Sequence, residues 1–439
     1  MALFNLKSAN TNPTREVVAG LTTFLTMAYI VFVQPGMMAA AGMDQGAVFI
    51  ATCVASAAAT LAMGLYARYP IALAPGMGIN AFFAFTLAPA VGWPTALGVV
   101  LVSGLVFLAL ALVGVREAVM NAVSPSLKHA IAAGIGLFIA FIGLKNAGLV
   151  VDHPATFVTM NHDWTQPGLI VFFVGLLVAA VLYAWKIPGA LVLGIAAAFG
   201  TALAFHAAGG LEGFSVDKQI VSLPPDPSAT LFKLDLAGVF TWAVLPYVVV
   251  FLFVDLFDTL GTLIGVAERG NFLKDNKLPR AGRALTCDAG GTVFGALLGT
   301  STVTSYIESA AGVEAGGRTG LVNVVVAACF LLCLFFSPII AMVGSYPPIT
   351  APALVLVGAM MMRSVGQVAW EDWTEALPAF VVLAVVPLTF SIGDGIAMGF
   401  LTYAILKLAT GKIASVHPVV WILAVLLAAY LTLVRPSVG

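Results

Sequence analysis

Ala74-Pro75-Gly76-Met77-Gly78-Ile79-Asn80-Ala81 and Gly299-Thr300-Ser301-Thr302-Val303-Thr304-Ser305-Tyr306-Ile307-Glu308 are two apolar stretches built from poor helix material. The first carries Pro75, Gly76 and Gly78; the second is a run of Ser, Thr and β-branched residues. Each lies inside a segment long enough to enter a bilayer. Irregular backbone at membrane depth survives only when it is buried in protein or lines a cavity. Two such breaks at matching places in two halves of a chain mark the binding site of a carrier built from inverted repeats.

The rest of the chain supplies the halves. Of its 439 residues 61% are hydrophobic and 9% charged, against about 25% charged in soluble domains. Lipid is therefore the solvent for most of it. Stretches of crossing length fall at 16–36, 46–66, 70–91, 95–115, 129–150, 167–185 and 188–206. A polar segment, 207–235, follows, with Glu212, Asp217, Lys218, Asp226, Lys233, Asp235 and Pro224-Pro225. Then come 239–266, 284–299, 300–315, 319–343, 349–365, 375–391 and 393–410. A last stretch, 417–434, is apolar but short, and the sequence leaves its crossing open. Seven spans, a linker and seven more insert the second half upside down. The expected fold is an all-α polytopic membrane protein, a 7+7 inverted-repeat carrier.

Charge placement gives the orientation. With a cytoplasmic N-terminus, the inside loops hold Lys7, Arg15, Arg68, Arg116, Lys128, Lys186, Arg269, Lys274, Lys277, Arg280, Arg283, Arg318, Arg363, Lys407 and Lys412. Lys145, Lys218 and Lys233 fall outside, and Arg435 is unassigned. Five of the inside charges share the loop 267–283. The first apolar run, Val17 to Val33, is too long for the apolar core of a signal peptide and reads as a retained span.

Several side chains interrupt the apolar runs. Asp255 and Asp258 lie in Val248–Ile264 at i and i+3, on one helix face with Thr259 and Thr262 nearby. An intramembrane carboxylate costs about 2.5–3.5 kcal/mol on the insertion scale, so two within a turn imply a polar path or neighbouring helix ends. Glu308 closes the second broken segment, where desolvation favours a carboxyl that changes protonation at working pH. Asn80 presents an amide donor and a carbonyl acceptor, suited to the edge of a heterocycle. Phe82, Phe83 and Phe85 follow it and offer ring faces.

Other features carry little. Cys53, Cys287, Cys329 and Cys333 lack metal-ligand spacing, and the five histidines are scattered. No metal or cofactor is expected. A net charge of −1 gives no footprint for nucleic acid. Gly316-Gly317-Arg318-Thr319-Gly320 lacks the ending of a phosphate loop and reads as a cytoplasmic turn, and Gly393-x-Gly395 sits in no strand-turn-helix unit.

Taken together, Gly20-Leu-Thr-Thr-Phe-Leu-Thr-Met-Ala-Tyr-Ile30, Ala74-Pro-Gly-Met-Gly-Ile-Asn80-Ala-Phe-Phe, Asp255-Leu-Phe-Asp258-Thr-Leu-Gly-Thr262 and Gly299 to Gly312 with Gly317-Arg-Thr-Gly320 resemble the nucleobase:cation symporter-2 family. Within it they are similar to the adenine–guanine–hypoxanthine permease branch; the uracil-type branch usually has glutamate where this chain has Asp255. Gln34-Pro35 and Arg68-Tyr69-Pro70 depart from the pattern.

The resemblance implies a core domain at 16–115 (spans 1–4) and 239–343 (spans 8–11). It implies a gate domain at 129–206 (spans 5–7) and 349–410 (spans 12–14), joined by the external linker 207–235. Spans 3 and 10 would each hold a short extended stretch, and the two would pair. Asn80, Asp255, Glu308 and Ser309, with Phe82 and Phe83, would bind the substrate; Glu308, Asp255, Asp258 and Thr259 would couple protons or support the site. The implied activity is import of a purine base by proton symport through a multi-pass plasma membrane, bacterial inner membrane included. The partners are the purine and the lipid bilayer, with a homodimer as one assembly. A sulfate- or bicarbonate-type anion carrier on the same fold and a uracil or xanthine permease are the alternatives. A membrane-embedded enzyme would need a nucleophile–base pair or metal cluster at depth, and no such pattern is present.

Overall fold

A computed structural model describes residues 4, 6–7, 9–113, 123–211, 213–241, 244–273 and 278–434. Arg116, Glu212, Lys274, Lys277 and Arg435 of the charge reading lie outside the described residues. Among the described residues, nine helices are long and apolar enough to cross a membrane, from Pro13–Ala39 to Ile392–Ala409. The third, tenth, twelfth and thirteenth spans are shorter or broken.

Span 1 is two helices, Pro13–Met27 and Ile30–Ala39, stepped at Ala28-Tyr29. Asn12 caps its start by accepting from the Arg15 amide. Span 8, Leu245–Arg269, begins later than the apolar run suggests. A short helix, Leu236–Val239, precedes it, capped by Asp235, whose second oxygen accepts from the Thr95 hydroxyl on span 4 at 2.9 Å. Apart from one 3₁₀ turn, Pro227–Ala229, the described part of 208–235 has no helix or strand.

The two broken segments cross as a ribbon. Strand β1, Leu73–Pro75, precedes the half-helix Met77–Phe82 in span 3. A surface hairpin follows span 5, with β2 at Val150–His153 and β3 at Phe157–Met160. Strand β4, Val303–Ser305, precedes the half-helix Ser309–Glu314 in span 10. β1 and β4 pair antiparallel, Leu73 with Ser305, Ala74 with Thr304 and Pro75 with Val303. Gly76 is required where they cross, because a Cβ there would fall 2.6 Å from Thr304 Cγ2.

A two-stranded ribbon leaves its outer edges unpaired, which lipid does not tolerate. Side chains of neighbouring spans fill them. On the β1 edge, Thr60 of span 2 donates to the Leu73 carbonyl and accepts from its amide. Asn323 of span 11 donates to the Ile71 carbonyl at 2.8 Å. On the β4 edge, Thr292 of span 9 donates to the Val303 carbonyl at 3.1 Å, and Asp288 accepts from the Ser305 amide at 2.8 Å. Thr60 and Thr292 serve the first residues of their strands from spans seven apart, as an inverted repeat requires.

Packing sorts the helices into two groups. Span 1 packs on spans 10 and 11, span 2 on spans 9 and 11, and span 4 on spans 8 and 9. Span 5 packs on spans 12 and 13, span 6 on spans 7 and 12, and span 13 on span 14. The helix Pro418–Ala429 lies along span 14, with Val420, Leu423, Ala424 and Leu427 buried.

Candidate functional site

The β1–β4 crossing gathers the polar side chains. Asn80, in the half-helix Met77–Phe82, is fully buried. Its Nδ2 donates to the Pro75 carbonyl at 3.2 Å, and the Ser301 hydroxyl donates to its Oδ1. Gln34, from span 1, donates to Thr300 Oγ1 at 3.1 Å and Ser301 Oγ at 3.3 Å. Asn80 therefore ties the two broken segments to each other. The sequence showed its donor and acceptor; its partner lies in the other half of the chain.

Span 8 presents its acids to different neighbours. Asp255 is 3% exposed, and its Oδ2 lies 3.4 Å from the Thr292 hydroxyl, whose proton also faces the nearer Val303 carbonyl. Asp258, one turn on, is half-buried. It sits beside Gly76, within electrostatic reach of Asp288 and Glu308. Thr259 donates to Asp288 Oδ2 at 2.7 Å and so accepts from Thr304 across 2.8 Å.

Asp288 is a residue that sequence reasoning passed over. It is fully buried on span 9 and accepts from the Ser305 amide, the Ser305 hydroxyl and Thr259. The rule that singles out Asp255, a carboxylate inside an apolar run, would also have found it.

Glu308 is half-buried at the start of the half-helix Ser309–Glu314. Tyr29, at the step in span 1, donates to its Oε1 at 2.9 Å. Tyr306 donates to the Pro75 carbonyl at 2.6 Å, with its ring 6.5 Å from that of Tyr29. Two tyrosines thus flank Glu308, neither given a role in the site from the sequence. Ser309 is buried, its hydroxyl accepting from the Ala72 amide at 3.0 Å, so it pins β1 to the second half-helix. Phe82 and Phe83 are fully buried, and Phe82 stacks on Phe251 with ring centroids 4.9 Å apart.

The crossing therefore separates two kinds of residue. Asn80, Ser309, Thr259 and Asp288 have their hydrogen bonds turned inward to hold the strands. Asp258 and Glu308 keep part of their surface open beside Tyr29 and Tyr306. Such a place offers carboxyl groups that accept from N–H groups of a bound heterocycle or, when protonated, donate to its ring atoms. Among the described residues no cluster of three His, Cys, Asp or Glu is placed to hold a metal ion.

Over residues 14–398 the chain matches Xan_ur_permease, a permease family. It is similar to the guanine/hypoxanthine permease PbuG of Bacillus subtilis (strain 168), at 44% identity over 97% of this chain and 98% of that one. It is similar to the adenine permease AdeQ of Escherichia coli (strain K12), at 41% identity over 98% and 96%. In fold it is similar to the transmembrane domain of a cyanobacterium bicarbonate transporter, BicA. That match has a TM-score of 0.62 and 16% identity over 88% of this chain and 97% of that one. The architecture is thus the 7+7 inverted repeat, with short strands in spans 3 and 10. With the family matched along most of its length and full-length permeases above 40% identity, the chain belongs to the nucleobase:cation symporter-2 family, in its adenine–guanine–hypoxanthine permease branch.

Proposed function

We propose that this chain imports a neutral purine base together with one or more protons. The observation that carries the reading is the pair of half-open acids, Asp258 and Glu308, at the β1–β4 crossing. The names of its relatives, permeases for guanine, hypoxanthine and adenine, point to the same substrate class. Glu308 meets the edge of the base and carries the exchangeable proton, with Asp258 beside it. Asp255, Asn80, Thr259 and Ser309 keep the crossing in shape, and Tyr29 and Tyr306 wall it. A site built to bond particular N–H and carbonyl groups discriminates strongly against bases that lack them.

The transport cycle is alternating access. Residues 16–115 and 239–343 act as the core, and 129–206 and 349–410 as the gate; the two packing groups of helices support that division. The core carries the crossing and moves against the gate, exposing one site to each side in turn. The N-terminus is cytoplasmic on the placement of Lys and Arg. An anion carrier on this fold is disfavoured, because Asp255, Asp258 and Glu308 would repel an anion where the strands cross.

The test is uptake of labelled hypoxanthine by cells lacking their own purine carriers. Adenine or guanine should compete, uracil and sulfate should not, and a protonophore should collapse accumulation. Competition by sulfate alone, or accumulation indifferent to the protonophore, would refute the corresponding half of the proposal.

A further inference from the structure

The C-terminal helix and Asp394 have no part in the mechanism above, yet they meet at the seam between the two helix groups. Asp394 lies in the first turn of span 14 and is 8% exposed. Tyr430, just past the helix Pro418–Ala429, is fully buried and donates its hydroxyl to Asp394 Oδ1 at 2.9 Å. Its ring stands edge-on to Tyr247 of span 8, centroids 5.5 Å apart and planes at 81°. Tyr247 in turn lies 6.3 Å from Phe82 of span 3.

Gly393 is a point of close approach on this seam. A Cβ there would fall 3.2 Å from the Tyr430 hydroxyl and 3.3 Å from the Phe82 ring. The Gly393-Asp394-Gly395 turn is therefore where gate backbone, core aromatic ring and C-terminal helix touch. A second contact crosses the same seam, from the Thr86 hydroxyl on span 3 to the Phe390 carbonyl ahead of span 14, at 2.9 Å.

We propose that Tyr430 is a latch between core and gate, operated by the C-terminal helix. The hydroxyl–carboxyl bond lies between a fully buried tyrosine and an acid that is 8% exposed, so it fixes Tyr430 to span 14. The edge-to-face contact with Tyr247 is weaker and has a preferred geometry. When spans 3 and 8 slide past span 14, Tyr430 stays with Asp394. Its contact with Tyr247 and the Phe82–Gly393 contact are lost together. The latch favours the arrangement in which the seam is closed, and the hydroxyl bond sets how strongly. This inference rests on the alternating-access reading.

The experiment measures distances between nitroxide labels in proteoliposomes, without and with hypoxanthine. Labels at Leu65→Cys on span 2 and Ile405→Cys on span 14 use exposed positions, 45% and 62%. Cys53, Cys287, Cys329 and Cys333 are first replaced by alanine. Tyr430→Phe keeps the ring but releases it from Asp394, so the edge-on contact with Tyr247 loses its fixed geometry; the ratio of separated to closed distances without purine should rise about fivefold, the scale of one aromatic pair. Asp394→Asn keeps an acceptor and should shift the ratio less. If both variants reproduce the wild-type distribution while hypoxanthine still shifts the wild type, the latch is wrong and transport stands. If Tyr430→Phe shifts the ratio and hypoxanthine shifts nothing, the latch stands and the purine reading falls. A single, unmoving distance in every sample overturns both.

Discussion

Tyr29 of span 1 donates its hydroxyl to Oε1 of Glu308 in span 10 across 2.9 Å, joining the step in one span to the break in another. Glu308 is only half-buried, so this bond fixes its rotamer while leaving its second oxygen for other partners. Tyr29→Phe should weaken apparent purine affinity about fivefold, the equivalent of about 1 kcal/mol for one hydrogen bond. Glu308→Gln keeps the shape and removes the titratable group. It should retain exchange of labelled purine across a membrane but lose accumulation against a gradient. Counterflow and uphill uptake, measured side by side, check both; uphill uptake by Glu308→Gln would remove Glu308 from proton coupling.

Asn80 and Ser301 act as one unit if their bond is a tie between the broken segments. Asn80→Ala and Ser301→Ala should then lower uptake by similar factors, with the double variant no worse than either. Residues sharing a hydrogen bond show such non-additivity, typically about 0.5–3 kcal/mol. Full additivity in a double-mutant cycle would give Asn80 a separate role, as a direct ligand of the base.

The fold was legible because lipid imposes simple rules. Apolar runs gave the spans, and Pro75, Gly76, Gly78 and the Ser/Thr run from Thr300 gave the breaks. The hairpin of β2 and β3 escaped notice because Val150-Val151 and Phe157-Val158 look like the tail of one span and a loop. At the site, types of residue were readable and partners were not. Asn80 is bonded to Ser301, Ser309 to Ala72 and Glu308 to Tyr29, each from the other half of the chain. Such pairings arise from how the halves interlock, which local pattern does not encode. Segment 417–434, left open by its length, finds its place through Tyr430 and Asp394 for the same reason.

Asp288 offers a test of support as distinct from contact. Its carboxylate accepts three hydrogen bonds, from the Ser305 amide, the Ser305 hydroxyl and Thr259. Asp288→Ala strands those buried donors, each at about 1–3 kcal/mol. The protein should lose thermal stability in detergent and most of its uptake. Asp288→Asn keeps one acceptor oxygen, and should recover part of the stability and uptake together. A variant with wild-type melting and no uptake would instead make Asp288 a participant in transport.

Lys407 and Glu375 form a buried pair between spans 13 and 14, 2.8 Å apart with side chains 6% and 15% exposed. Lys407 also donates to Thr374 at 2.8 Å, and Ser124 donates to the other Glu375 oxygen at 2.7 Å, so spans 5, 13 and 14 meet at one polar knot. Each charge also suits its helix end, with Glu375 in the first turn of span 13 and Lys407 in the last turn of span 14. Removing one partner of a buried pair leaves the other charge uncompensated, at about 3–5 kcal/mol, whereas replacing both with apolar groups is often neutral. Lys407→Met alone should therefore lower the melting temperature sharply, and Glu375→Leu with Lys407→Met should restore much of it. Because the pair lies away from the β1–β4 crossing, the double variant should bind purine with near wild-type affinity. Calorimetry on the purified variants checks stability and binding together. Equal destabilisation by the single and double changes would show that the knot holds spans 5, 13 and 14 by its geometry and not by charge balance.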